Sequence, residues 1–193
     1  MPFPAEGTSK FYCYKDYIEI PSDEKCEIIE GVLYAMVPAP STQHQIVLRN
    51  LLVQLVNHLK DTGCEVLSAP YDVLLPEGNE DPEDVKTVVQ PDILVVCDRS
   101  KLKDKYCLGA PDFIIEVVSP SRPSMDYVKK LHIYEKHGVR EYWIVDYTHQ
   151  EIMSYRLSGG GEYGRPEIYT SGEVVSTILD NLVIPLSDIF VIE

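Results

Sequence analysis

Apolar and polar positions divide the chain into short blocks whose period changes several times. Residues 14–20 suit a short helix closed by Pro21, and residues 22–25 can start another helical turn. Residues 26–36 read as a bend and strand that turn at Gly31. The strongest helical pattern is 42–60: Ser41 is placed to cap it, Ile46, Leu48, Leu52, Leu55, Val56 and Leu59 form its apolar stripe, and Gly63 stops it. Strands follow at 65–67 and 71–75, then a polar excursion over 76–86 that carries five acids. Residues 92–97 and 112–118 are almost continuously apolar, as strands buried on both faces are. Residues 98–102 make a turn or short helix between them. A helix capped by Ser124 is predicted through His137, with Val128, Leu131, Ile133 and Tyr134 inward and Gly138 at its end. Residues 141–146 form a third central strand, and pieces at 151–156, 162–169 and 174–177 read as antiparallel, with Ser158, Gly159, Gly160 and Gly161 at a hairpin turn. The close, 182–190, reads as a strand and a helical turn. The pattern predicts an α/β (α+β) fold: a mixed sheet flanked by helices, with additional antiparallel hairpins. Residues 1–193 form one domain in this reading, with 1–13 a loose arm and the core at about 14–190.

Charge narrows the function. The formal net charge of −14 argues against a protein that coats nucleic acid without specificity. Basic residues nevertheless gather between Arg99 and Arg140, as a solvated basic face or as a phosphate-facing patch. No apolar run approaches a membrane span, and the first residues lack the pattern of a signal peptide. The five cysteines, at 13, 26, 64, 97 and 107, include no CxxC pair, so neither a disulfide framework nor structural zinc is expected. Cys26, Cys64 and Cys97 read as small core residues, and the cytoplasm as the compartment.

The chemistry concentrates at the strand ends. Asp92 follows Pro91 at the head of one apolar strand; it is either a metal ligand or a turn aspartate. Glu116 interrupts the apolar run 113–118, where an ionised group is costly unless paired or bound to a cation. Asp92, Glu116 and the backbone carbonyl of Val117 are the oxygen set that Mg²⁺ or Mn²⁺ favours; the alternative for Glu116 is a buried salt bridge to a helix lysine. Lys130 is that lysine in either case, and Asp126 either holds it or forms an ordinary i,i+4 pair. Glu30 is a third acid facing the metal or a surface acid. His44 caps its helix or stands near the substrate, and Tyr134 lines the cleft or packs in the core. Tyr142 and Trp143 read as core or dimer packing ahead of base stacking. The glycine run at 159–161 lacks the lysine and hydroxyl of a phosphate loop.

These residues resemble the Uma2 family of restriction-endonuclease-like proteins. The likeness rests on Glu27 to Gly31, His44, Pro91-Asp92-Ile93, the stretch from Gly109 to Asp112, Glu116 to Ser121, Asp126, Lys130, Tyr134, the stretch from Gly138 to Asp146, and the close at 182–190. It implies a PD-(D/E)xK phosphodiesterase fold with Asp92 and Glu116 as the two acids and Glu30 as the early glutamate. The lysine of that pattern is absent two residues after Glu116, where Val118 stands, and the family moves it to the helix as Lys130. Arg122 replaces a frequent threonine and brings a positive charge to the mouth of the site. The resemblance also implies homodimers.

Three functions follow as expectations. The first is a Mg²⁺-dependent endonuclease acting on DNA, with RNA a lesser candidate. The second is a non-catalytic member that binds nucleic acid or protein. The third is a metal-dependent hydrolase of a small phosphorylated compound, which a closed, narrow pocket would distinguish.

Overall fold

The computed structural model describes residues 10–21, 26–36, 40–118 and 125–191. Helix α1 (Tyr14–Tyr17) leads into the hairpin β1 (Cys26–Ile29) and β2 (Val32–Ala35). Its two-residue turn is Glu30 and Gly31, both with positive φ (49° and 80°), the mirror-image turn that matches strand twist. Helix α2 (Thr42–His58) starts at the expected cap: the Ser41 hydroxyl accepts from the His44 N–H. Strands β3 (Glu65–Ser68), β4 (Asp72–Leu74), β5 (Val88–Val89), β6 (Ile93–Val96), β7 (Tyr106–Leu108) and β8 (Phe113–Val118) follow. A π-helical turn, Met125–Lys130, runs into α3 (Leu131–His137), and Gly138 ends it in the left-handed conformation (φ 84°). The rest comprises β9 (Glu141–Asp146), β10 (Glu151–Arg156), β11 (Glu167–Tyr169), β12 (Glu173–Ser176), β13 (Leu182–Pro185) and α4 (Leu186–Ile189).

Among the described residues the large sheet has the order β11-β10-β9-β8-β6-β3, with β8 and β9 parallel and its other pairs antiparallel. A second sheet has the order β2-β1-β5-β4-β7, and β12 pairs with β13. This is the expected mixed sheet flanked by helices, with hairpins added, in a restriction-endonuclease-like arrangement.

Strand alternation sorts β8 into two faces. Phe113, Ile115 and Val117 face α2, where Val47, Leu51, Leu55 and Leu59 pack. Ile114 and Val118 face the other way, against Ile133 and Tyr134 of α3 and against Ile29, Val73 and Val89 of the small sheet. Glu116 therefore projects into the seam between the two sheets, on the α3 side.

Several expectations are corrected here. The buried stripe of α2 is His44, Val47, Leu51 and Leu55, while Val56 is 49% exposed and Ile46 half-buried. The real stripe begins with a histidine, so a pattern counted on apolar residues starts on the wrong face. Val128 is 63% exposed, because the π turn carries it away from the core. Cys64 and Cys97 are joined by a disulfide, against the expectation of none. They stand directly opposite at the end of the β3–β6 ladder, a proximity that spacing along the chain does not reveal. Tyr142 and Trp143 are fully buried, which makes them core residues. Among the described residues no helix is long and apolar enough to cross a membrane.

Candidate active site

Pro91 and Asp92 explain each other through the sheet. The β6–β8 register pairs Ile93 with Ile115; carried two residues on, it sets Pro91 opposite Val117. Proline has no N–H to give, so the ladder cannot satisfy the Val117 carbonyl at that position. The chain bends at Asp92, and its carboxylate takes the Val117 N–H instead, at 2.8 Å from Oδ2. A residue's N–H and C=O leave a strand on the same edge, so the Val117 carbonyl is directed toward the Asp92 side. The Ala69 N–H fixes the Asp92 backbone from the opposite flank (3.1 Å to its carbonyl oxygen).

His44 reaches the same carboxylate. Its Nε2 lies 3.3 Å from Asp92 Oδ2, its side chain is 8% exposed, and its Nδ1 has no hydrogen-bond partner among the described residues. It sits in the first turn of α2, whose N-terminus therefore abuts the strand ends. Tyr147 stands edge-on to the His44 ring, and Ser41 Oγ donates to the Tyr147 hydroxyl (3.3 Å).

On the other face Glu116 is 4% exposed. Its Oε1 accepts from Lys130 Nζ (2.9 Å) and from the Tyr134 hydroxyl (2.8 Å). Lys130 and Tyr134 are one helical turn apart, so one face of the helix presents both. Lys130 is itself 5% exposed and makes a second ion pair, 3.1 Å to Glu27 Oε1. The same Glu27 oxygen accepts the Gln90 N–H (2.9 Å), one residue before Pro91. A buried carboxylate from each sheet thus shares one ammonium.

Glu27 is the acid that sequence reasoning missed, and Glu30 does not join the group. Glu30 stands on the β1–β2 turn, 49% exposed at its side chain, and pairs with Lys136 (2.8 Å), which also holds Glu77 (2.6 Å). Among the described residues three other cations of the stretch from Arg99 to Arg140 are engaged by neighbours. Lys129 lies over the Tyr34 ring and donates to its hydroxyl, Arg99 pairs with Glu65, and Arg140 pairs with Asp112. Arg122 and the side chain of Asp126 lie outside the described residues.

Asp146, at the exit of β9, accepts from Tyr127 (3.4 Å) and contacts His149 Nδ1 (2.8 Å). Burial alone would raise its carboxyl. The His149 ring and the backbone N–H groups of His149 and Thr148 outweigh burial and hold it below the usual range. The Asp146 hydrogen bond and charge hold the His149 imidazole above its ordinary value.

Among the described residues no group of three or more His, Cys, Asp or Glu side chains converges as a metal site. Of the acids at these strand ends, Asp92 and Glu116 have the Val117 carbonyl beside them, and Asp146 ends the neighbouring β9.

Residues 12–187 match the family model Uma2, described as "Putative restriction endonuclease". The chain belongs to the Uma2 family. It is thereby a member of the PD-(D/E)xK-like nuclease superfamily. A relative, "Uncharacterized protein slr1290" of Synechocystis sp., is 26% identical over 167 residues, 84% of this chain and 80% of the relative. A crystal structure described as "a putative nuclease belonging to DUF820" from Anabaena variabilis superposes with a TM-score of 0.72 at 18% identity. That match covers 93% of this chain and 97% of the other and shows a shared fold. In this Uma2 chain the helix lysine, Lys130, meets Glu116 inside the core.

Proposed function

We propose that the chain is a Mg²⁺-dependent endonuclease that hydrolyses phosphodiester bonds in DNA through Asp92, Glu116 and Lys130. The observation that carries this reading is the placement of Asp92 and Glu116 on neighbouring strands, opposite each other in the β6–β8 register, with the Lys130 ammonium on Glu116. Among the described residues Glu116 shares the Lys130 ammonium with Glu27, and Asp92 lies against the Val117 N–H and the His44 ring. A carboxylate held out of water is stabilised by a cation beside it. The donor set is all oxygen, which fits Mg²⁺ or Mn²⁺ and does not fit a softer metal.

In this reading Asp92, Glu116 and the Val117 carbonyl hold the ion. When bound, the ion supplies a more acidic water and offsets charge on the phosphate. The chain's own residues do the positioning. His44 and the Val117 N–H orient Asp92, and Tyr134 and Lys130 orient Glu116. Glu27 keeps the Lys130 ammonium at the seam, where it can orient the attacking water or stabilise negative charge on phosphorus. DNA is the favoured substrate and RNA the lesser one, and the family resemblance adds a homodimeric assembly.

Calorimetric titration of Mg²⁺ and Mn²⁺ into the protein, with Asp92→Asn/Glu116→Gln as control, is the direct test. A supercoiled-plasmid cleavage assay accompanies it. Binding and nicking that disappear together in the variant support the reading. Nicking that persists in the variant overturns it.

One observation favours a second reading, a non-catalytic binding member. The Lys130 ammonium is closed between two carboxylates, an arrangement that also serves as a purely structural cross-link. Metal-independent DNA binding without cleavage would favour it.

A further inference from the structure

We propose that the Cys64–Cys97 disulfide is a reversible thiol-exchange site: a small thiol seated in the adjoining hollow attacks Cys64, and the bridge sets how firmly strand β3 is held beside Asp92. This inference is independent of whether the chain cleaves DNA.

The placement is specific. β3 pairs Glu65 with Val96 and Ser68 with Ile93; one step outward, Cys64 faces Cys97. Among the described residues β6 is the one sheet neighbour of β3, so β3 is an edge strand held by a ladder of four pairs. The disulfide closes one end of this ladder. Just past the other end, the Ala69 N–H donates to the Asp92 carbonyl oxygen. Edge strands with few partners open first in local unfolding, and a covalent tie at one end limits that opening.

Access separates this pair from the other cysteines. Cys97 is exposed and Cys64 half-buried, whereas Cys13, Cys26 and Cys107 are buried. Burial pushes the Cys107 thiol up to about 11, which leaves it inert. Cys64 also lines a hollow of about 440 Å³, together with Val56, Leu59, Lys60, Gly63 and Arg99. That volume suits a small organic molecule. Exchange requires the incoming sulfur to approach the attacked sulfur, and the hollow offers this approach at Cys64.

The chemistry balances without another reactant. A thiolate RS⁻ attacks Cys64 Sγ and the S–S bond breaks. A mixed disulfide forms on Cys64, and Cys97 leaves as an exposed, solvated thiolate. A second thiolate attacks the RS sulfur of the mixed disulfide, giving RSSR and the Cys64 thiolate. The reverse sequence, with RSSR as oxidant, restores the bridge.

The test uses the full chain equilibrated in glutathione buffers from fully reduced to fully oxidised. Acid quenching, blocking of thiols after unfolding, and peptide mapping follow. In oxidised buffer Cys64 and Cys97 are protected together while Cys13, Cys26 and Cys107 are blocked. At intermediate ratios the glutathione adduct maps to Cys64, with Cys97 blocked. Amide exchange in the peptide 65–69 is about tenfold faster in the reduced chain, and Cys64→Ser and Cys97→Ser variants show the faster rate in every buffer. Free Cys64 and Cys97 in oxidised buffer, an adduct on a different cysteine, or exchange in 65–69 that ignores redox state would each overturn the proposal.

Discussion

Lys130 Nζ stands 2.9 Å from Glu116 Oε1 and 3.1 Å from Glu27 Oε1, so one buried ammonium joins a carboxylate of the large sheet to one of the small sheet. Removing one member of a buried ionic group costs more than removing the whole group, because the remaining charges stay desolvated. Lys130→Met should therefore lower stability by about 3–5 kcal/mol. The triple change Lys130→Met/Glu27→Gln/Glu116→Gln should regain most of that loss. Urea unfolding of the two variants checks this, and a single variant within about 1 kcal/mol of the wild type would contradict the burial of the pair.

Glu27 and Glu30 should behave unlike each other despite their three-residue separation. Glu30 makes a half-exposed surface pair with Lys136, so Glu30→Gln should cost no more than about 1 kcal/mol. Glu27 receives a buried ammonium and a backbone N–H on one oxygen, so Glu27→Gln should cost about 1.5–3 kcal/mol. Thermal unfolding of both variants distinguishes them, and the reverse order would exchange their roles.

Pro91→Ala supplies the N–H that the Val117 carbonyl lacks across the ladder. The fold should remain within about 1 kcal/mol of the wild type. Under the proposed function, Mg²⁺ affinity should nonetheless fall, by about tenfold or more, as the carbonyl turns to its new donor. Calorimetry with urea unfolding on the same sample reads both quantities. Unchanged affinity would remove Val117 from the ligand set.

His149 titrates above its ordinary value because Asp146 faces it, and Asp146 titrates below its own. The raised imidazole contributes stability that is fully present below 6.5 and is lost as pH rises through the folded-state value. The depressed carboxyl contributes stability that is present above 3.8 and is lost as pH falls through its folded-state value. NMR titration should show the His149 midpoint above 6.5, returning toward it in Asp146→Asn. A midpoint indifferent to that substitution would remove the pair.

How much of this was legible in the chain depended on burial. Continuous apolar runs announced β6 and β8, because strands covered on both faces need no alternation. The same continuity hid which way Glu27 points: all four residues of β1 are buried, so period two leaves no trace. Of the two acids in that stretch, the one beside the glycine drew the assignment, yet it is the turn residue with positive φ. Strand β7 was missed because three residues, Tyr106 to Leu108, sit in a lysine-rich setting that reads as a loop. Asp92, Glu116, Lys130, His44 and Tyr134 were picked out as residues, but their partners were not all visible. That His44 holds Asp92 follows from where a helix N-terminus meets a strand end, and that contact is tertiary.

The π turn at Met125–Lys130 separates two anchoring points: Tyr127 on Asp146, and Lys130 with Tyr134 on Glu116. A π turn takes up one residue more than an α turn, and each α-helical residue rotates the helix by about 100°. Deleting residue 128 or 129 would let the α ladder close, but the two anchors would then face different directions. At this point in the chain the number of residues carries information that their identities do not: the exposed Val128 touches little that a different side chain would disturb, while its place in the count sets the angle between the two anchors.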